Sequence, residues 1–360
     1  MLDENELKNE LKNALEKDDA EIHTLDALNY IRFRNTYKKI ERGSVITKDD
    51  FFPGFPHIKR IFTLEKGLKK NVLSDFVFAE EKIDGYNLRA VLINNEIYGL
   101  SRGGIIDLFS TEKLRELIPK KVFERKIMLC GEMIGNTPYT KSTKNYDVKY
   151  YIFDIYDLEK KYYFPPEMRY LFLKENKLYP APYLGKFNQR NDIDKIKRLV
   201  LNVNKGGMEG IVFKSIDRTQ IVKYVNPNAD IEDVANTIKM LFDMPVGYFN
   251  QRLLRSAIFI KEHKLDSGIY GRKLGEGIYK KFAEGLKMLE RDGMIYDEFE
   301  IIIKNRAVWD ELKSHMSKEV KLQTVFEREE NDKMRIRFRK VYIKSTKKIR
   351  AFINGRGITD

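Results

Sequence analysis

A chain of 360 residues is too long for one small hydrophobic core and has room for two to four modest domains. Its 42% apolar and 12% aromatic residues exclude global disorder, while 34% charged residues imply a large solvated surface. The formal charge of +13 favours a polyanionic partner, with nucleic acid, nucleotide and anionic membrane all open.

In chain order, Leu7, Leu11 and Leu15 recur every four residues among acids and bases, which predicts an amphipathic helix over 2–17. A basic, aromatic stretch follows from Phe33 to Arg42. The segment FFPGFPHIKRIF (51–62), with two prolines and a glycine, reads as an extended or turning connector. From about 72, short runs rich in Val, Ile, Phe and Tyr alternate with turn signals such as Asp84-Gly85, Asn94-Asn95 and Gly206-Gly207. These runs predict a strand-dominated domain, and helical pieces at 111–118 and 191–203 make it α+β. Beyond Pro227, residues Ile231, Val234, Ala235, Ile238, Leu241 and Phe242 share one helix face, capped by Asn228 or Asp230. Helical patterns continue over 248–263 and 273–290. Near the end, Met334, Ile336 and Phe338 alternate with Arg335, Arg337 and Arg339, which predicts a hairpin with one basic face. The stretch 333–350 holds nine Lys or Arg and no acid. The expected organisation is an N-terminal helix and connector (1–70), an α+β domain (71–228), a helical module (229–312) and a basic C-terminal module (313–360).

The lone Cys130 excludes an internal disulfide and a thiolate zinc site. His23, His57, His263 and His315 lack paired metal-ligand spacing, so any metal should be held by oxygen. No apolar signal core opens the sequence, and no uncharged apolar run approaches the roughly 18 residues that span a bilayer. A cytoplasmic chain with no membrane partner is expected.

The chemistry-bearing segments are Glu81-Lys82-Ile83-Asp84-Gly85, at the end of one predicted strand, and four that follow it in order. Taken alone, Lys-x-Asp-Gly reads as a β-hairpin with an Asp-Gly turn. Downstream, Gly131-Glu132 ends a strand with a carboxylate and Phe153-Asp154-Ile155-Tyr156 offers a ring. Glu209-Gly210-Ile211-Val212-Phe213-Lys214 then pairs an acid with a lysine, and Ile221-Val222-Lys223 adds another lysine. Each is ordinary at a strand end; their ordered conjunction is not.

In that order the segments resemble the covalent nucleotidyltransferase superfamily of polynucleotide ligases and messenger RNA capping enzymes. Together with GFPHIKR, KIDGYN and the helical region downstream, the chain is most similar to the homodimeric, ATP-dependent RNA ligases of archaea. The resemblance implies ATP, Mg²⁺ (with Mn²⁺ able to substitute) and single-stranded RNA as ligands, a homodimer, and Lys82 as the nucleophile that takes AMP. It also implies that Glu81 reads the adenine edge, Phe153 and Val212 flank the base, Glu132 meets the ribose, and Asn87, Arg89 and Arg102 engage phosphates. Glu209 and Glu132 would serve the metal. A lysine amine ordinarily keeps its proton to about pH 10.4, so a nucleophilic lysine needs cationic neighbours. Lys214, Lys223 and the metal would supply them and neutralise the departing pyrophosphate. His57, Lys59 and Arg60 of the connector are candidates to touch the triphosphate or RNA, with Lys59 and Arg60 assigned to RNA alongside the Arg335, Arg337 and Arg339 row. The competing expectations are a DNA ligase or capping-type enzyme, which would carry a barrel where 229–290 reads helical, and a non-catalytic RNA-binding protein.

Overall fold

The computed structural model describes residues 4–140, 145–245, 247–316 and 320–357, with side chains from residue 10 onward except that of His315. The chain divides into two compact units, Met1–Ile58 with Gly85–Ile134 and Val148–Ala181, and Lys59–Asp84 with Gly135–Asp147 and Pro182–Asp360. The fold is mixed α+β with mainly antiparallel sheets, as expected from the strand and helix patterns.

In the first unit the helix Glu4–Glu16 lays Leu11 and Leu15 on a cluster of Ala14, Ala20, Phe33, Tyr37 and Ile40. The expected partner Leu7 lies outside the described side chains. Strands Ala20–Leu25 and Leu28–Phe33 form a hairpin that Val45–Ile46 and Phe51–Phe52 extend to four strands. A second sheet runs in the order Tyr162–Tyr163, Val148–Asp157, Ile127–Gly135, Tyr86–Ile93, Glu96–Ser101. Asn94 and Asn95 join its last two strands with φ of 48° and 61°, the left-handed pair that a two-residue hairpin turn demands. Leu28, Val45, Phe52, Val91, Leu100, Met128 and Cys130 fill the space between the two sheets, so the single thiol is buried.

The second unit is built on a five-stranded sheet ordered Tyr183–Asn188, Phe76–Glu81, Gly210–Ser215, Ile221–Val225, Lys59–Arg60. All neighbours are antiparallel except the last pair. Alternation puts Val77, Ala79, Ile211, Phe213, Val222 and Tyr224 on one face. That face is covered by Leu64 and Leu68 of the helix Leu64–Asn71 and by Ile196, Val200 and Val203 of the helix Ile193–Lys205. The opposite face carries the polar residues.

After this sheet, the helix Pro227–Thr237 is capped by Asn226, which accepts from the Ala229 amide at 3.1 Å. Asn228 and Asp230 are therefore inside the helix. Pro227 needs no amide partner and suits the first helical position, which puts the cap at Asn226, immediately before it. Helices Gly247–Glu262 and Ser267–Asp292 follow where periodicity places them. Among the described residues no helix is long and apolar enough to cross a membrane.

The C-terminal hairpin forms, but it gains a third strand from the region read as helical. Tyr296–Ile303 pairs with Lys333–Val341, which pairs with Lys321–Glu330, so one sheet crosses the boundary expected at 312. The basic face also changes character. Arg335 and Arg337 donate to Glu300 at 2.6 and 2.8 Å, Arg335 reaches Glu330 at 3.3 Å, and Arg339 reaches Glu298 at 3.4 Å. Opposite charges placed across strands pair with each other. The expected RNA contacts Arg335, Arg337 and Arg339 are thus held by acids of the two adjoining strands, which the sequence pattern alone does not show.

Candidate active site

Local backbone geometry gives Lys82 an unusual setting. Its amide donates to the Gly210 carbonyl at 3.0 Å, carrying the sheet ladder one residue past Phe76–Glu81. The chain then enters Tyr86–Ile93, which pairs with Glu96–Ser101 and Ile127–Gly135 in a different sheet. Lys-x-Asp-Gly is therefore a passage between two sheets, and the hairpin reading of the Asp-Gly turn does not hold. Gly85 is required there by close packing: a Cβ at this position would lie 2.6 Å from both the Met133 oxygen and Ile134 Cγ2.

On the polar face of the second unit's sheet, register aligns Glu80 with Val212, Val212 with Lys223, and Lys223 with Arg60. Lys82 and Lys214, two residues beyond Glu80 and Val212, belong to the same face. Five of the expected residues, Lys82, Lys214, Lys223, Val212 and Arg60, therefore share one surface. Glu81 pairs with Ile211, so its side chain belongs to the face opposite Val212; burial raises its carboxyl above the ordinary value. Alternation thus separates two side chains expected to serve one base.

Two ion pairs organise this face. The Lys82 ammonium donates to Glu209, the residue that introduces Gly210–Ser215. Lys214 donates to Glu80 at 2.8 Å, with both side chains only 1% exposed. The charge of Lys214, expected to act on the nucleophile, is thus matched by a carboxylate that the sequence reading did not single out. Burial pushes the Glu209 carboxyl up; Lys82 pulls it down, and Asp84 and Asp233 add to the upward push.

The helices after Asn226 close in on Glu209. The Asn226 amide donates to the Glu209 carbonyl at 3.1 Å while its side chain donates to the Met208 carbonyl. The start of Pro227–Thr237 is thereby tied to the strand that Glu209 begins. On this helix Asp230 accepts two bonds from Arg255, one at 3.1 Å, and burial pushes its carboxyl up to about 7. One turn on, Asp233 accepts from Arg252 at 2.9 Å, and the Arg252 guanidinium lies 3.5 Å from the centre of the Tyr248 ring. Asp230 was expected only as a helix cap and the other three charged residues were not anticipated; the spacing of three in both Asp230/Asp233 and Arg252/Arg255 was the available signal.

Asn87, Arg89, Arg102, Glu132 and Phe153 belong to the first unit. Asn87 and Glu132 face each other across adjacent strands, with a long side-chain hydrogen bond of 3.4 Å, and Asn87 Oδ1 is buried without a partner. Phe153 is half-buried, edge-on to Phe55 with ring centres 5.2 Å apart. Arg102 is exposed, but Gly104 beside it is needed for packing, since a Cβ there would meet the Gly43 oxygen at 2.7 Å. Arg89 corrects its expected role. It is completely buried, and its guanidinium donates to the carbonyls of Pro53, Gly43 and Ser101, so it fastens three backbone segments together and does not face a phosphate. Lys59 is exposed and donates to Asn71 at 2.9 Å.

Among the described residues no group of three His, Cys, Asp or Glu side chains converges as a metal cage. Magnesium does not need one, because it ordinarily takes one or two carboxylates and completes its shell with substrate phosphates and water. Glu209, with the fields of Asp84 and Asp233 behind it, fits that requirement. When bound, the ion would neutralise charge developing on a triphosphate.

Comparison with known proteins identifies the family and the fold. Residues 75–225 match the RNA ligase family and residues 236–356 match the C-terminal region of the ligase Pab1020. The uncharacterized protein MJ0414 of Methanocaldococcus jannaschii is 30% identical over 345 residues, covering 90% of this chain and 87% of that one. A putative ATP-dependent DNA ligase from Aquifex aeolicus is 29% identical, with a TM-score of 0.91 over 98% of this chain and all of the other. An archaeal ATP-dependent RNA ligase has the same fold, with a TM-score of 0.88 over 97% of this chain and 96% of its own at 24% identity. The chain belongs to the RNA ligase family, in the archaeal-type group that carries the Pab1020 C-terminal region.

Proposed function

We propose that this protein is an ATP-dependent ligase that joins or circularises single-stranded RNA bearing 5′-phosphate and 3′-hydroxyl ends. The observation that carries the proposal is Lys82, held by the Gly210 carbonyl at the exit of the sheet and paired with Glu209, on the face that also bears Lys223 and Arg60. A lysine so placed suits nucleophilic attack on phosphorus. Lys82 first leaves Glu209, loses a proton and attacks the α-phosphorus of ATP, forming a phosphoramidate with AMP as pyrophosphate departs. The RNA 5′-phosphate then takes the AMP, and Lys82 regains its proton. Finally the RNA 3′-hydroxyl attacks that activated phosphate and AMP leaves. Lys223 and Arg60 oppose an ammonium at Lys82 and offset the negative charge of the nucleotide.

With ATP and Mg²⁺, a 5′-phosphorylated RNA oligomer should become resistant to phosphatase and exonuclease. An enzyme that seals only 5′-phosphorylated DNA would contradict the RNA assignment, and the 29% identity to the Aquifex protein makes that the second reading. Label incorporated from GTP in place of ATP would indicate capping chemistry. The same proposal includes a homodimer, for which Leu254, Ile269 and Tyr279 supply exposed apolar surface on two helices of the C-terminal half. Light scattering should give about twice the 42.5 kDa of one chain; a single-chain mass would contradict it.

A further inference from the structure

The sheet that positions Lys82 ends in the outer strand Tyr183–Asn188, which pairs with Phe76–Glu81. Alternation carries Phe76, Phe78 and Glu80 onto the Lys82 face, and the register sets Lys186 opposite Phe78 and Tyr183 opposite Glu80. The side chains meet accordingly. The Lys186 ammonium stands over two rings, 5.8 Å from the centre of Phe76 and 5.2 Å from that of Phe78, and the Phe78 and Tyr183 rings lie 6.1 Å apart. Phe76 is 40% exposed, Tyr183 is 50% exposed and Lys186 is exposed beside them, whereas Phe78 is buried beneath. On the other face of the same two strands Val77 and Ala79 are sealed in the core and Phe187 packs against it. Two large rings and an ammonium are thus left in water on one side of one sheet edge. Rings of this kind stack bases, and a neighbouring cation follows a phosphate backbone.

We propose, resting on the ligase reading above, that Tyr183, Phe76 and Lys186 form a docking strip for the single-stranded RNA end processed at Lys82, the rings stacking bases and the ammonium meeting a backbone phosphate. Position, charge and edge geometry together favour this occupant. Phe76 precedes Lys82 by six residues, roughly 20 Å along a strand, and Tyr183 is level with Glu80, so the strip runs from beside the nucleophile to the end of the sheet. A chain of formal charge +13 attracts a polyanion. A second copy adding its own strand is disfavoured, because the register breaks between Tyr183 and Gly185 and a lysine on an edge strand opposes pairing. Unpaired bases offer open faces to a ring, and bases inside a duplex do not.

Binding can be read without catalysis. In fluorescence anisotropy with a labelled, 5′-phosphorylated single-stranded RNA, Tyr183→Ala and Phe76→Ala should each bind about tenfold more weakly than the parent, the usual loss for one base stack. Tyr183→Phe keeps the ring and should bind as the parent does. Lys186→Gln should flatten the slope of log affinity against log salt by about 0.7, the share of one single-strand phosphate. Fully duplex RNA of the same sequence should bind the parent and the ring variants equally. With ATP and Mg²⁺, incorporation of AMP into the protein should be unchanged in all four variants, while ligation at sub-saturating RNA falls with binding. Parent-like affinity for single strands in both alanine variants would overturn the proposal, and a lowered mass in light scattering alongside it would give the strip to a second copy of the chain. An unchanged salt slope in Lys186→Gln would also overturn it, and that test stands should an alanine variant fail to fold. So would a loss of AMP incorporation matching the loss of ligation, which would place the strip in the nucleotide pocket. Failure of the parent protein to form any adduct would instead remove the ligase reading, leaving the anisotropy to decide whether the strip holds RNA.

Discussion

Replacing Lys214 with methionine should lower the stability of this protein by about 3–5 kcal/mol, the usual result of leaving one member of a buried ion pair alone. Both Lys214 and Glu80 are 1% exposed and 2.8 Å apart, so neither can recover solvation when its partner is removed. Glu80→Leu should cost a similar amount. The double variant Glu80→Leu, Lys214→Met removes both charges and should regain most of the loss in chemical denaturation, because apolar replacement of a whole buried pair is often neutral. Activity separates the two roles. With Lys214 supplying charge to the reacting phosphate, adduct formation by the refolded double variant should stay about a hundredfold low. Recovery of stability and adduct together would make the pair purely structural.

Glu209→Gln should show the opposite balance, a large loss of chemistry with little loss of fold. Glu209 touches Lys82 and is the proposed metal carboxylate, so adduct formation should fall about 10²–10³-fold. The stability effect follows from the raised carboxyl. Between the ordinary carboxylate value and the higher folded one, the native chain holds a proton that the unfolded chain has released. Native stability therefore falls as pH rises through that interval. Glutamine removes this slope, so the variant should gain on the parent as pH rises through the same window. Unchanged adduct formation in Glu209→Gln would exclude this residue from the chemistry.

Much of the catalytic sheet is legible in the linear sequence because its signals are local. Val/Ile/Phe alternation marks the strands, and the order of Lys82, Glu209, Lys214 and Lys223 marks the proposed chemistry. What escapes is pairing across long separations. Glu80 lies two residues before Lys82, yet its partner Lys214 is 134 residues away. Arg89 sits among the motif residues and invites a phosphate role, whereas the fold directs it at three carbonyls. The Asp84-Gly85 step has the composition of a hairpin turn, and only knowledge of the next strand's neighbours shows that the chain changes sheets. Likewise, Arg335, Arg337 and Arg339 read as a bare basic face until Tyr296–Ile303 brings Glu298 and Glu300 alongside. That strand is hard to recognise, because acids interrupt its apolar residues and helices flank it on both sides.

Mapping the site of AMP attachment tests the central claim most directly. After incubation with α-labelled ATP and Mg²⁺, denaturation and proteolysis, the label should sit on one peptide, at Lys82, through an acid-labile phosphorus–nitrogen bond, and Lys82→Ala should carry none. Label on another residue, or full labelling of Lys82→Ala, would contradict it.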